Sequence, residues 1–476
     1  MAFSLTDHSG GAWHYWAQQS PFSVALKTPS LTLNWQQLAA CIDYYSAYLA
    51  DQGVAAGDVV TLVGKNQPET VLFYLAAQQL GAIAAVTMPQ PCEALQSKLQ
   101  TLYQPVQQRF VWLAGECAKA YAANELASYN AHFLSVPQCP EWPSYPSCQP
   151  AIQYHHDALA SIVFTSGSTG APKAVAHTHR QHFASAEGLL TELSFTRHDT
   201  WLMSLPLYHV SGLAIVYRWL YAGATLKVGA GNLAADICGV SHASLVATQL
   251  KRLLDEAAPL SLTHVLLGGS HVAHSLAQRA KAQGIETWLG YGMTEAASTV
   301  TAKQVDQLSN AGHVLPNRRV RLAAGRIYIG GQTLAVGYYY QGRLTPLVDD
   351  DGWFDSKDLG QWQDNELKII GRVDNQFISG GENIHCEEIE AALNQHPDVI
   401  QAIIVPVSDE EYGQRPVAVL QTKRLRTKAD YECFLQDKLE KFKWPVAYHV
   451  LPESLSSAGI KVSRQAVKLW LQSRKD

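Results

Sequence analysis

The stretch "SIVFTSGSTGAPKAVAHTH" runs from Ser161 to His179. Apolar β-formers from Ile162 to Phe164 stop at Thr165-Ser-Gly-Ser-Thr-Gly170. Ala171-Pro172-Lys173 follow, and an extended pattern resumes at Ala174. A hairpin turn needs about two to five residues and one glycine. This loop is longer and holds four hydroxyls, two glycines and a lysine: Thr165, Ser166, Gly167, Ser168, Thr169, Gly170 and Lys173. It is not G-x-x-x-x-G-K-[ST], because Ala-Pro-Lys follows Gly170. Two local readings stand. One is a serine-rich structural turn. The other is a phosphate cradle, in which glycines let backbone N–H groups approach an anion, hydroxyls add donors and Lys173 adds a point charge.

Working outward, the loop sits inside an alternation of strands and helices. From Ser161 to about Val300 the short apolar runs "WLMSLP", "ATLKVG", "ASLVAT", "HVLLGG" and "TWLGYG" are separated by helical stretches. Upstream, "WQQLAACIDYYSAYLADQG" has helical spacing and ends at Gly53, a C-cap, and "DVVTLVG" reads as a strand. Such alternation predicts α/β layers with largely parallel strands. Five prolines in the fifteen residues from Val136 to Pro150 predict a surface crossing. After Asn317, "VRLAAGRIYIGGQTLAVGYYYQGRL" alternates with period two, which predicts antiparallel strands. After Arg372 come a β-turn-β piece, the helix "EEIEAALNQHP", the strand "VIQAIIVPV" and a basic helix "VSRQAVKLWLQSRK". That is a compact α+β unit of about a hundred residues, a common domain size.

The totals agree. A chain of 476 residues suggests two or three folding units. Net charge is −5, from 36 basic and 41 acidic residues with no basic block, which argues against a nucleic-acid partner. The eight cysteines include no C-x-x-C pair, so neither a zinc site nor a disulfide scaffold is expected. The start, "MAFSLTDHSGGAWHYW", has no basic n-region or apolar h-region. The tract "VLFYLAAQQLGAIAAV" is broken by glutamines and a glycine and is too short to span a bilayer; it reads as a buried helix and a strand. The expectation is a cytoplasmic protein without a membrane span. Whether copies form a homo-oligomer is left open.

The motif T-S-G-S-T-G-x-P-K resembles the phosphate-binding signature of the adenylate-forming superfamily, which includes acyl-CoA ligases, peptide-synthetase adenylation domains and luciferases. Other signatures follow in the family's order. The resemblance implies ATP, Mg²⁺ and coenzyme A. It also implies a large multi-layer N-terminal domain over 1–372, made of α/β subdomains and a small β subdomain. A hinge at 373–375 would lead to a small mobile α+β C-terminal domain over 376–476. By the same resemblance "GYGMTE" places Tyr291 and Gly292 against the adenine, Thr294 on a phosphate and Glu295 on Mg²⁺. A carboxylate beside a triphosphate needs a bridging cation. Gly269 and Ser270 join the nucleotide site. "GWFDSKDLG" offers Asp358 to the ribose, with Ser356 and Lys357 where the family has Thr-Gly. In "GRVDNQFISGGENIHCEEIE", Arg372 reaches the ribose or phosphate, Asp374 is the pivot, and Ser379, Gly380, Gly381 and Glu382 form the thioester loop. His385-Cys386 stands where a Tyr-Pro type pair is usual. "GIKVSRQAV" supplies Lys461 and Arg464 at K-x-x-R spacing, although Ile460 separates Gly459 from the lysine. Lys461 is taken as the catalytic lysine; an exposed helix-leading lysine is the alternative.

The acyl pocket would be bounded by "SLPLYHVSGLAIVYRWLYAGA". There His209 occupies the family's aromatic-gate position, or is a satisfied buried histidine. Arg218 lies in an otherwise apolar helix, seven residues after Ser211 and on the same face, with Gly223 as the stop. An arginine there is costly to bury unless it meets an anion, either a protein acid or a second carboxylate on the substrate. Thr248 and Ser298 complete the expected pocket. Together with Arg218, the resemblance implies an acid–thiol ligase acting on an aromatic dicarboxylic acid. Free coenzyme A is favoured as acceptor because no carrier domain follows. A different aryl- or fatty-acyl-CoA ligase would not need Arg218, and a non-catalytic nucleotide-binding scaffold would not need Lys173, Glu295, Asp358 and Lys461 together.

Overall fold

The computed structural model describes Phe3 and residues 10–121, 131–137, 154–165, 173–256, 260–268, 272–456 and 462–474. Ser166–Gly170, Gly269, Ser270, Lys461 and most of the proline-rich crossing lie outside them.

Two large sheets dominate. The strands Val59–Val63, Ile83–Thr87, Arg109–Leu113 and Leu159–Thr165 run parallel in an eight-stranded sheet. Its other side is antiparallel, through Lys173–Thr178 and the hairpin Gly337–Pro346. The nine-stranded sheet has the parallel run Thr225–Lys227, Thr200–Leu202, His242–Leu245, His264–Gly268 and Glu286–Met293 at its centre. These central strands are short and apolar because both faces are covered, as expected of parallel sheets. The helix Pro68–Gln79 is buried from Thr70 to Gln79, so it lacks a polar face. It meets the helix Val210–Ala222 through Tyr74 Oη donating to Tyr217 Oη at 3.2 Å, and one apolar core joins the two sheets through these helices.

The predicted C-cap holds: Gly53 has φ +90° just beyond the helix Trp35–Asp51. Gly223 likewise ends its helix at φ +66°, donating to the Trp219 carbonyl.

The region after Asn317 is antiparallel as expected, but it is not one sheet. Arg318–Gly331 pairs with Phe354–Gln363 and Glu366–Arg372 in a four-stranded sheet, whereas Gly337–Pro346 joins the eight-stranded one. The crossing is made by two backbone bonds, Ala335 N to the Glu295 carbonyl at 2.9 Å and Val336 N to the Ala176 carbonyl at 3.0 Å. Alternation alone could not show this split, because both hairpins share the same period. Beyond Asn375, Gln376–Ser379, Glu382–His385, Val399–Asp409, Gly413–Thr422 and Ala447–Val450 form a separate sheet with apolar clusters on both faces. The helices Cys386–Leu393 and Arg464–Gln472 cover those clusters.

Candidate active site

Residues of three sheets meet along Tyr291–Thr299. In the nine-stranded sheet the strand Glu286–Met293 ends in a 3₁₀ turn, Thr294–Ala296, and returns as Ser298–Gln304. The turn is strained: Ala297 has φ +50° and Ser298 φ +91°. Gly292 allows it, since a Cβ there would lie 1.7 Å from the Ser298 carbonyl oxygen. This is a physical reason for the second glycine of "GYGMTE".

The four-stranded sheet contributes Asp358, which is 5% exposed. Tyr291 Oη donates to it at 2.6 Å and Arg372 Nη1 at 2.9 Å, while Arg372 Nη2 reaches Asp374 at 3.5 Å. Burial and the Asp358 carboxylate hold the Tyr291 phenol protonated, well above its ordinary range. The two departures from the family motif are explained here. Lys357 adopts φ +63°, the conformation glycine takes without penalty, in a strand whose register slips beside it. Asp355 holds it there, accepting from the Lys357 backbone N at 3.0 Å and from Nζ at 2.8 Å. Ser356 Oγ donates to the Ile327 carbonyl at 2.7 Å and accepts from Asp358 N at 3.0 Å.

The eight-stranded sheet contributes both ends of the opening loop. Thr165 pairs directly with Lys173 across two antiparallel strands. Lys173 Nζ lies over the Tyr338 ring at 4.9 Å, and Tyr338 Oη donates to Glu295 at 3.4 Å. Tyr338 is a member of the site that sequence reasoning missed; only its place in the run "GYYY" hinted at it. Burial raises the Glu295 pKa, opposed by Tyr338 and Lys173. A half-buried carboxylate that is costly to ionise and lies near a lysine suits a Mg²⁺ ion carrying phosphates.

The helix Val210–Ala222 starts at His209, whose backbone caps it; burial and the charge of Lys98 lower its pKa. Ser211 is half-buried on its first turn, as is Thr248 on the first turn of Ala247–Asp255. Arg218 is 1% exposed. Its Nη2 donates weakly to Thr299 Oγ1 at 3.4 Å, its guanidinium lies 5.2 Å from the Trp201 ring, and its Nε has no partner among the described residues. Among the described residues no carboxylate pairs with it, so the protein-acid alternative finds no support. Burial and the nearby Arg318 push its pKa down to about 9.

In the C-terminal unit, Gly380 and Gly381 form a two-residue hairpin turn with φ +59° and +88°, whose Gly380 N donates to Tyr412 O at 2.9 Å. Ser379 is buried and Glu382 is exposed. Arg464 does not wait for a ligand. It donates to Glu390 at 2.6 Å, the Ile404 carbonyl at 3.0 Å and Glu387 at 3.3 Å. Glu387 also accepts from Asn375 at 2.5 Å, in the 3₁₀ turn Val373–Asn375 that includes Asp374. Arg464 therefore ties the start of the helix Arg464–Gln472 to Glu387, Glu390 and Ile404. Glu387 and Glu390 were missed as its partners.

The model of the family "AMP-binding enzyme" matches residues 13–339, and that of the "AMP-binding enzyme C-terminal domain" matches residues 388–466. The 2-succinylbenzoate–CoA ligase of Escherichia coli strain K12 is 41% identical over 97% of this chain and 98% of its own. The ligase of the same name from Haemophilus influenzae is 40% identical over 97% and 98%. A solved E. coli MenE variant with bound OSB-AMS superposes with a TM-score of 0.88 at 38% identity, covering 98% of this chain and 99% of that one.

Proposed function

The chain belongs to the AMP-binding enzyme family, and from that premise we propose that it converts 2-succinylbenzoate, ATP and coenzyme A to 2-succinylbenzoyl-CoA, AMP and pyrophosphate. In the first half-reaction a succinyl carboxylate oxygen attacks the α-phosphorus, and the bond to pyrophosphate breaks. In the second the thiol attacks the acyl carbon of the adenylate, loses its proton and displaces AMP. The thioester product belongs to menaquinone biosynthesis.

The residues divide between these tasks. The Thr165–Lys173 loop, with Ser166, Gly167, Ser168, Thr169 and Gly170, cradles the phosphates that leave. Glu295 is the residue for Mg²⁺, which offsets phosphate charge when bound. Thr294 donates to a phosphate. Asp358, oriented by Tyr291 and Arg372, accepts from the ribose hydroxyls. Gly269 and Ser270 join Tyr291 and Gly292 on the nucleotide. Lys461 stabilises charge building between carboxylate and α-phosphate. The 3₁₀ turn around Asp374 is the pivot on which residues 376–476 swing relative to 1–372. That motion exchanges Lys461 for the Ser379–Glu382 loop between half-reactions. His209, Ser211, Thr248 and Ser298 line the acyl pocket.

The observation that carries the substrate is Arg218, a buried cation with no protein acid among the described residues. A ring carboxylate is the missing anion, held by the planar guanidinium as lysine could not hold it. Loss of one charge-assisted hydrogen bond costs about 1.5–3 kcal/mol, or about 10- to 150-fold. We expect Arg218→Ala and Arg218→Lys to lose that much of the preference for 2-succinylbenzoate over an analogue lacking only the ring carboxylate. The measure is kcat/KM, with the KM for ATP near normal. An unchanged preference in Arg218→Ala would favour an aryl- or fatty-acyl-CoA ligase of other specificity.

A further inference from the structure

Arg218 is not the only buried arginine without an acid among the described residues. Arg318, at the start of the four-stranded sheet, is 6% exposed and also has an unpartnered Nε. Its other nitrogens are fully engaged with backbone and hydroxyl. Nη1 donates to the Pro316 carbonyl at 2.7 Å, and Nη2 donates to both the carbonyl and Oγ of Ser185 at 2.9 Å. Ser185, on the helix His179–Leu190, donates in turn to the Ala297 carbonyl at 2.5 Å. The fit is tight: a Cβ on Gly188 would lie 2.1 Å from Arg318 Nη1.

The two arginines thus brace one three-residue segment from opposite ends. Arg318 acts through Ser185 on Ala297, and Arg218 meets Thr299. Between them lie the two positive-φ residues, Ala297 and Ser298. Such a segment keeps its shape only when its surroundings determine it. If it relaxed, the Thr299 hydroxyl would leave the Arg218 guanidinium.

We infer that Arg318 is a positioning residue for acid recognition: through Ser185 it fixes Ala297–Thr299 and thereby aims Arg218 at the second carboxylate of the substrate. This rests on the reading of Arg218 given above. It also accounts for an arginine where a hydrophobic residue would cost less. A cation whose donors all go to neutral groups is costly to bury. Two of them at the ends of one strained segment form a site that is completed when an anion binds.

The test is a double-mutant cycle. The readout is the ratio of kcat/KM for 2-succinylbenzoate to that for the analogue lacking the ring carboxylate, with the KM for ATP measured alongside. Arg318→Met should lower the ratio about 5- to 20-fold, and Ser185→Ala and Thr299→Val about 2- to 5-fold, with the KM for ATP moving less than about two-fold. In an Arg218→Ala background Arg318→Met should lower the ratio no further, because its effect passes through Arg218. Equal losses in both backgrounds, or a raised KM for ATP with the ratio intact, would overturn the inference. If Arg218→Ala keeps the wild-type ratio, the substrate reading beneath it falls instead. Should Arg318→Met fail to fold, Ser185→Ala takes its place in the same cycle.

Discussion

Lys357 occupies a backbone conformation that costs a non-glycine residue about 1–3 kcal/mol. It is tolerated because Asp355 accepts from both its backbone and its side chain. The bulge it forms puts the next residue, Asp358, under Tyr291 and Arg372. Lys357→Gly should therefore leave stability within about 0.5 kcal/mol, since relieved strain offsets a lost exposed ion pair. Lys357→Val should destabilise by about 1–2 kcal/mol and raise the KM for ATP, because a β-branched residue resists this φ. Denaturant midpoints and ATP kinetics decide it. Equal stability of the Gly and Val variants would show that the bulge bears no strain.

Behind the site, one stretch of strand and helix carries a layer of buried histidines. His177 ends up on the strand Lys173–Thr178, and His179 and His182 on the helix that follows; all three are nearly inaccessible. His182 meets Ser161 Oγ at 2.7 Å and stacks on Tyr217, and His179 meets Tyr217 Oη at 3.1 Å. Burial lowers His177 and His179 to about 3 and His182 well below the ordinary 6.5. The folded chain therefore keeps them neutral where the unfolded chain would protonate them. The stability this allows is fully present above about pH 6.5 and is lost as pH falls. Each imidazole contributes a slope of about 1.4 kcal/mol per pH unit, about 4 for the three together. His177→Phe, at a ring without a side-chain hydrogen bond among the described residues, should reduce the slope by about one third. Denaturant midpoints at pH 7.5, 6 and 5 test this. A slope identical to wild type would mean that His177 does not stay neutral in the folded chain.

Across the whole molecule, the proposed cycle divides its chemistry between two units. Lys461 and the Gly380–Gly381 turn both belong to the C-terminal unit, yet they serve opposite half-reactions in the proposed cycle. Lys461→Ala should slow pyrophosphate release by about 10²–10³ while thioester formation from supplied acyl-adenylate changes little. Gly381→Leu should do the reverse. A Cβ there meets nothing within 4 Å in this arrangement, so the defect would come from the φ of +88° and from bulk once the turn faces the acyl site. Rapid-quench measurement of each half-reaction separates the two. If both variants impair both halves equally, the division of labour is wrong.

The family motifs and the alternation of strands and helices were readable along the chain, because each rests on residues close in sequence. So were the stops at Gly53 and Gly223, and the helix that puts Ser211 and Arg218 on one face. Helix caps and phosphate-loop composition are local matters of backbone conformation and donor supply. What only the tertiary structure decided are the meetings between distant segments. Tyr338 came to lie between Lys173 and Glu295, and Arg464 was taken up by Glu387 and Glu390. The two hairpins after Asn317 went to different sheets, and Ser185 came to join Arg318 to Ala297. Such contacts depend on which buried donors are left to be satisfied once the sheets have packed, and the spacing of residues along a chain carries no record of that.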